Sequence, residues 1–83
     1  MEHDPYQPIS CSAYDIYEIA IMRNQCLDMH WRQGEMEMTE RVRPLALHIH
    51  DGAEYLIFSI DTTDEQRQQV RLDHIINSRI VEP

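Results

Sequence analysis

From Leu27 onward this chain repeats with a period of two, which commits more than half of it to β-structure. Leu27, Met29 and Trp31 alternate with Asp28, His30 and Arg32. Successive strand residues point to opposite faces, so this run reads as a half-buried strand. Gln33-Gly34 supplies a turn, and Glu35 to Val42 alternates again, making a β-hairpin. Pro44 interrupts the pattern. Leu45, Leu47 and Ile49 then alternate with Ala46, His48 and His50 up to an Asp51-Gly52 turn. Glu54 to Ile60 is the most apolar run and is expected at the centre of the sheet. Asp61 to Gln66 reads as a polar loop and Gln68 to Leu72 as a further strand. Asp73-His74 reads as a short turn before a last strand near Ile75 to Val81.

The N-terminal third follows a different rule. Pro5 and Pro8 disfavour helix before them, so residues 1–11 read as an extended lead-in. Ser12 is the expected N-cap of a helix that carries Asp15 in its first turn and runs to about Gln25, without Gly or Pro. At 100° per residue, Asp15, Glu18, Met22 and Gln25 share one side, with Ala13, Ile16, Tyr17 and Ala20 roughly opposite. The helix is therefore amphipathic, with an acidic outer face. One helix followed by about five short strands is an α+β plan, and short strands commonly curl into a small barrel to limit exposed edges. At 83 residues the whole chain, 1–83, is one small domain with a thin core.

Charge narrows the function. The chain has 15 Asp and Glu against 7 Arg and no Lys, a net charge of −8. Nucleic-acid affinity rests largely on Lys and Arg, so direct RNA or DNA binding is not expected. The same charge suits a basic protein partner, although composition alone favours a solvated acidic surface that keeps the protein soluble. No apolar run approaches the roughly 20 residues of a membrane span. The opening Met1-Glu2-His3-Asp4-Pro5 lacks a basic, apolar signal segment, so a cytoplasmic protein is expected.

The residues that carry chemistry elsewhere are poorly arranged for it. Cys11 and Cys26 form no Cys-x-x-Cys pair and are expected to be reduced, small core residues. His48-x-His50, followed by Asp51, puts two imidazoles on one strand face, with His30 and His74 as distant candidates. No third ligand is identifiable, and two exposed histidines on the solvent face of an edge strand are the expectation, with no metal or cofactor. Gly34 and Gly52 are the only glycines, so there is no phosphate-cradling loop, and no activated nucleophile is evident. Enzyme activity is not expected. Trp31, Tyr55 and Phe58 are expected in the core, as is Tyr17. Tyr6 and Tyr14, flanked by acids, mark the N-terminal third as a contact surface.

Tyr6-Gln7-Pro8-Ile9-Ser10-Cys11 and Tyr14-Asp15-Ile16-Tyr17-Glu18-Ile19-Ala20 resemble the opening of the bacterial Rof (YaeO) family, the Rho-binding antiterminators. Gly34 is similar to a hairpin glycine of that family, Glu54-Tyr55-Leu56 to the start of its central strand, and Arg71-Leu72-Asp73-x-Ile75 to its approach to the last strand. The resemblance implies an Sm-like fold, an N-terminal helix before a small, strongly bent antiparallel sheet or barrel. It also implies a function: binding the RNA-binding N-terminal region of the termination factor Rho and blocking RNA loading. Tyr14, Asp15 and Glu18 match the family motif and are the expected Rho contacts, with Tyr6 in the matched lead-in. Two departures stand out: Ser12-Ala13 replaces acidic residues, and the segment from Gly34 to Glu54 is a few residues longer. An Sm-like RNA-binding module, or a general acidic interaction module, is the alternative.

Overall fold

The computed structural model describes residues 4–60 and 63–82. Helix α1 spans Cys11–Met22, and its N-cap is Ser10 rather than Ser12. The Ser10 hydroxyl accepts the Ala13 N–H at 3.2 Å, and the Ser10 carbonyl accepts Tyr14 N–H at 3.0 Å. Capping at Ser10 leaves Ile9 just outside the helix, where it packs against the core. The lead-in therefore ends at Ser10, and Asp15 lies beyond the first turn, which holds no acid.

The helix also stops before Gln25. Asn24 takes a left-handed φ of 55°. Its N–H reaches the Ile21 carbonyl at 3.2 Å while the Gln25 N–H reaches Ala20 at 2.9 Å. That pair of bonds satisfies the carbonyls a helix end leaves open, with Asn tolerating the conformation usually reserved for glycine. Gln25 thus leaves the acidic face and becomes half-buried.

The strands are β1 (Leu27–Gln33), β2 (Met36–His50), β3 (Ala53–Ile60), β4 (Thr63–Arg71) and β5 (Ile75–Ile80), with a short 3-10 turn at Leu72–His74. They form one antiparallel sheet in the order β4-β3-β2-β1-β5. The fold is α+β, and the sheet is open rather than a closed barrel. β3 is interior but β2 occupies the centre. Two-residue turns join the first strands. The first is Gly34-Glu35, one residue later than the pattern suggested. At Asp51-Gly52 both φ values are positive (50° and 77°), the backbone that a tight hairpin's right-handed twist requires.

Pro44 does not break the second strand. β2 runs through it, with Pro44 opposite Phe58 and a register shift before Ala46. A bulge absorbs the missing N–H, which is how proline enters a paired strand. The expected loop at 61–66 is also corrected. Thr63 to Gln66 belong to β4, while Asp61 and Thr62 lie outside the described residues.

Alternation resolves the two faces. Leu27, Met29 and Trp31 are buried and join Val42, Leu56, Phe58, Val70 and Leu72 beneath Tyr17 and Ala20 of α1. Trp31 and Phe58 meet edge to face at 5.3 Å and 70°. Tyr17 is buried, with its hydroxyl accepting from Ser78 of β5 at 3.3 Å, so the helix is tied to an edge strand. On the outer face, Asp28 stands opposite both Arg41 and Arg79 and pairs with them at 3.1 and 3.3 Å. Such cross-strand charge pairs reinforce register. No helix is long and apolar enough to cross a membrane among the described residues.

Candidate functional site

Asp15, Glu18, Ile19 and Met22 fall at i, i+3, i+4 and i+7 and are all exposed, a single stripe along the outside of α1. Its first half is acidic and its second half apolar, ending in Met22 at 77% exposure. Tyr17 and Ala20 anchor the opposite side, and both helix ends are capped, so the stripe is presented on a fixed element. Among the described residues neither Asp15 nor Glu18 has a cationic partner, whereas Asp4, Asp28 and Asp73 are all paired with arginine.

Tyr14 borders the stripe and is half-buried. Burial pushes its hydroxyl up, and the charges of Glu54 and Glu18 add to the effect. Tyr6 donates to Glu54 Oε2 at 3.1 Å. Burial, then that hydrogen bond, pushes the Tyr6 hydroxyl up to about 12. Tyr6 and Tyr14 thus gather around Glu54, a residue that periodicity marked only as the start of a strand, and Glu18 lies on the Tyr14 side of the group. Tyr6 is an internal prop of this surface as much as part of it. Its hydroxyl is engaged and its ring lies 5.8 Å from the Arg71 guanidinium.

The lead-in is docked by a network that the sequence reading missed. Arg71 grips Asp73 bidentately at 2.6 and 2.8 Å, and its outer nitrogens reach the Asp4 carbonyl at 2.7 Å and the Pro5 carbonyl at 3.4 Å. Gln7 N–H donates to Asp73 Oδ2 at 2.9 Å. Asp4 Oδ2 meets His74, Arg71 and Arg32 at 2.8, 3.2 and 3.6 Å. The His74 hydrogen bond, with both arginine charges, holds the Asp4 carboxyl below the usual range against its modest desolvation. Burial alone raises the Asp73 carboxyl, but the bonds from Arg71 and Gln7 outweigh it and hold it low.

Both carboxylates are depressed, so their contribution is complete above the ordinary carboxylate pKa of about 4 and is lost as pH falls through the lower folded values. Acidification is therefore expected to undock the lead-in before the core opens. The Gln7 amide resonance, followed by NMR, should move to its free-chain position below about pH 4 while core amides hold. An unchanged Gln7 resonance down to about pH 2 contradicts the latch.

Other candidates are placed apart from this surface. His48 and His50 are exposed, their rings roughly parallel with centroids 6.3 Å apart. They lie on the stretch of β2 that pairs with β3 alone, beyond the reach of β1, so the central strand behaves there as an edge. No group of three His, Cys, Asp or Glu able to hold a metal comes together among the described residues. His30 lies against Glu37 at 2.6 Å and His74 against Asp4. Cys11 is exposed and Cys26 half-buried, so neither is a core residue, and neither forms a disulfide. Trp31 and Phe58 are core as expected, but Tyr55 is only half-buried. Sequence showed only Arg41 and Arg43 as neighbours; folding brings Arg23 to them along a groove of about 440 Å³ that Glu82 also lines.

No family model matches the chain, and no curated protein matches it. Among solved structures it is similar to the proteasome accessory factor B/C (PafBC) of Arthrobacter aurescens, with a TM-score of 0.72 and 16% identity. The match covers 89% of this chain and 12% of that one, so this chain corresponds to a small part of PafBC. At that identity the likeness is one of fold alone.

Proposed function

We propose that this chain is a non-enzymatic, cytoplasmic inhibitor of the transcription termination factor Rho, of the Rof type, with a bent Sm-like sheet carrying a contact helix. The resemblance in the N-terminal segments suggests the partner. The observation that carries the reading is the exposed stripe of α1, where Asp15 and Glu18 have no cationic partner among the described residues. Carboxylates left without an internal partner on a capped helix suit a basic surface, and Ile19 and Met22 add apolar area where water can be excluded. An RNA-binding surface is basic by necessity, so an acidic protein competes for the same field. Tyr14 and Glu54 extend the patch, with Tyr6 supporting it. The sheet order and the register shift beside Pro44 in the long β2 are compatible with an Sm-like curl. RNA-stimulated ATP hydrolysis by purified Rho is the test: it should fall as this chain is added, and should not if the reading is wrong.

A second reading, direct RNA binding by an Sm-like module, draws on the groove of Arg23, Arg41 and Arg43. Three features weaken it. Glu82 lines the same groove, Arg41 already pairs with Asp28, and the Gln25 Oε1 there is a buried acceptor without a hydrogen-bond partner among the described residues. Tight, salt-sensitive binding of single-stranded RNA to the chain alone would favour it.

A further inference from the structure

The docked lead-in occupies a cationic cup with the chain's own oxygens. Arg32 at the end of β1, Arg71 at the end of β4 and His74 in the 3-10 turn all point at one atom, Asp4 Oδ2, at 3.6, 3.2 and 2.8 Å. Two further acceptors join it on Arg71, the carbonyl oxygens of Asp4 at 2.7 Å and Pro5 at 3.4 Å. Three oxygens from one short peptide stretch are thus collected by two arginines and a histidine. A phosphate group presents the same number of acceptors from a single centre.

Arg71, the most buried member of the cup, is aimed from within the fold as well as by the lead-in. Arg71 is 14% exposed and is aimed by its bidentate hold on Asp73, whose side chain is 9% exposed. His74 is 24% exposed. The Asp4 side chain, by contrast, is 60% exposed. Once Asp4 withdraws, Arg32 and Arg71 exceed Asp73 by one positive charge, and by two when His74 is protonated. The same three side chains also line one groove of about 280 Å³, which continues past Tyr55 and Gln69 and has room for an organic group.

We propose that the cup formed by Arg32, Arg71 and His74 is a binding site for a phosphate-bearing small molecule, and that Asp4 holds it closed as an internal stand-in for the phosphate. The ligand's phosphate takes the place of Asp4, and its organic part lies along the groove toward Tyr55. Binding releases residues 4–7 from the end of the sheet, where Tyr6 supports Glu54 and Tyr14. The site belongs to the fold itself and is independent of whether the chain binds Rho.

An internal competitor lowers apparent affinity by the fraction of time the cup is free, so removing it should tighten binding. Inorganic phosphate is the probe, titrated into the full chain by NMR with ionic strength fixed by sodium chloride. The D4N variant is expected to bind phosphate about tenfold or more tightly than the unmodified chain, with shifts centred on Arg32, Arg71 and His74. D4N/R32A should lose that gain. In the unmodified chain, saturating phosphate should move the amide resonances of Tyr6 and Gln7 as the lead-in is displaced. Equal affinity of D4N and the unmodified chain overturns the proposal. So do phosphate shifts that survive R32A, or shifts that leave the lead-in untouched.

Discussion

Replacing Asp15 and Glu18 together by lysine, D15K/E18K, should weaken binding to Rho roughly a hundredfold, about 2.8 kcal/mol. Each reversal turns an attraction for a basic surface into a like-charge contact, and such juxtapositions cost more than the loss of a rim charge alone. The fold should survive, because both side chains are exposed and neither has a cationic partner among the described residues. Surface substitutions of that kind change stability by about 0.5 kcal/mol or less. Calorimetric titration into Rho reads the first effect and thermal unfolding the second. Unchanged affinity in a folded variant would place the contact elsewhere on the molecule.

Trp31→Ala should be the most damaging single change to the fold, at roughly 3–5 kcal/mol. Trp31 is 2% exposed on β1, flanked by β2 and β5, and meets Phe58 edge to face. A chain of 83 residues has a total stability of roughly 4–12 kcal/mol, so the variant loses a large share of it and, at the lower end of that range, sits at its unfolding threshold. Met22→Ala is the control, since Met22 is 77% exposed and its loss should cost little stability. Urea titration compares the two. A Trp31→Ala midpoint equal to that of Met22→Ala would mean that the core is not organised around this residue.

The parts of the fold that were legible in sequence are those set by local rules. Leu27, Met29 and Trp31 alternate because one sheet face is buried, and the buried set matches residue for residue. Asp51-Gly52 announced its own turn because few other residues tolerate two successive positive φ values. Errors arose where two local signals competed or where a bulge hid the continuity. Ser10 and Ser12 are both good caps by residue type, and spacing alone does not decide between them. Pro44 looks like a stop until the register shift beside it is seen. The return of β5 to β1 leaves no periodic trace, because pairing partners 50 or so positions apart are chosen by the closed core rather than by pattern.

The candidate surface divides the same way. The stripe of Asp15 and Glu18 could be read from helical spacing, since a helix face follows from 100° per residue once the start is roughly known. Ile19 and Met22 could be read from that spacing too, but apolar residues on an outer face give no local reason to be singled out. Glu54 and the Arg71–Asp73–Asp4 network could not be read, because their members are joined across most of the chain. Arg71 and Asp73 were visible as part of a resembling motif, but nothing in the motif says that they hold the first residues down.

The most direct test of the central claim is RNA-stimulated ATP hydrolysis by purified Rho at a fixed excess of this chain, over a range of RNA concentrations. Inhibition at low RNA should be relieved as RNA rises, because both compete for one basic surface. Full ATPase activity at every RNA concentration, with the chain folded throughout, would contradict it.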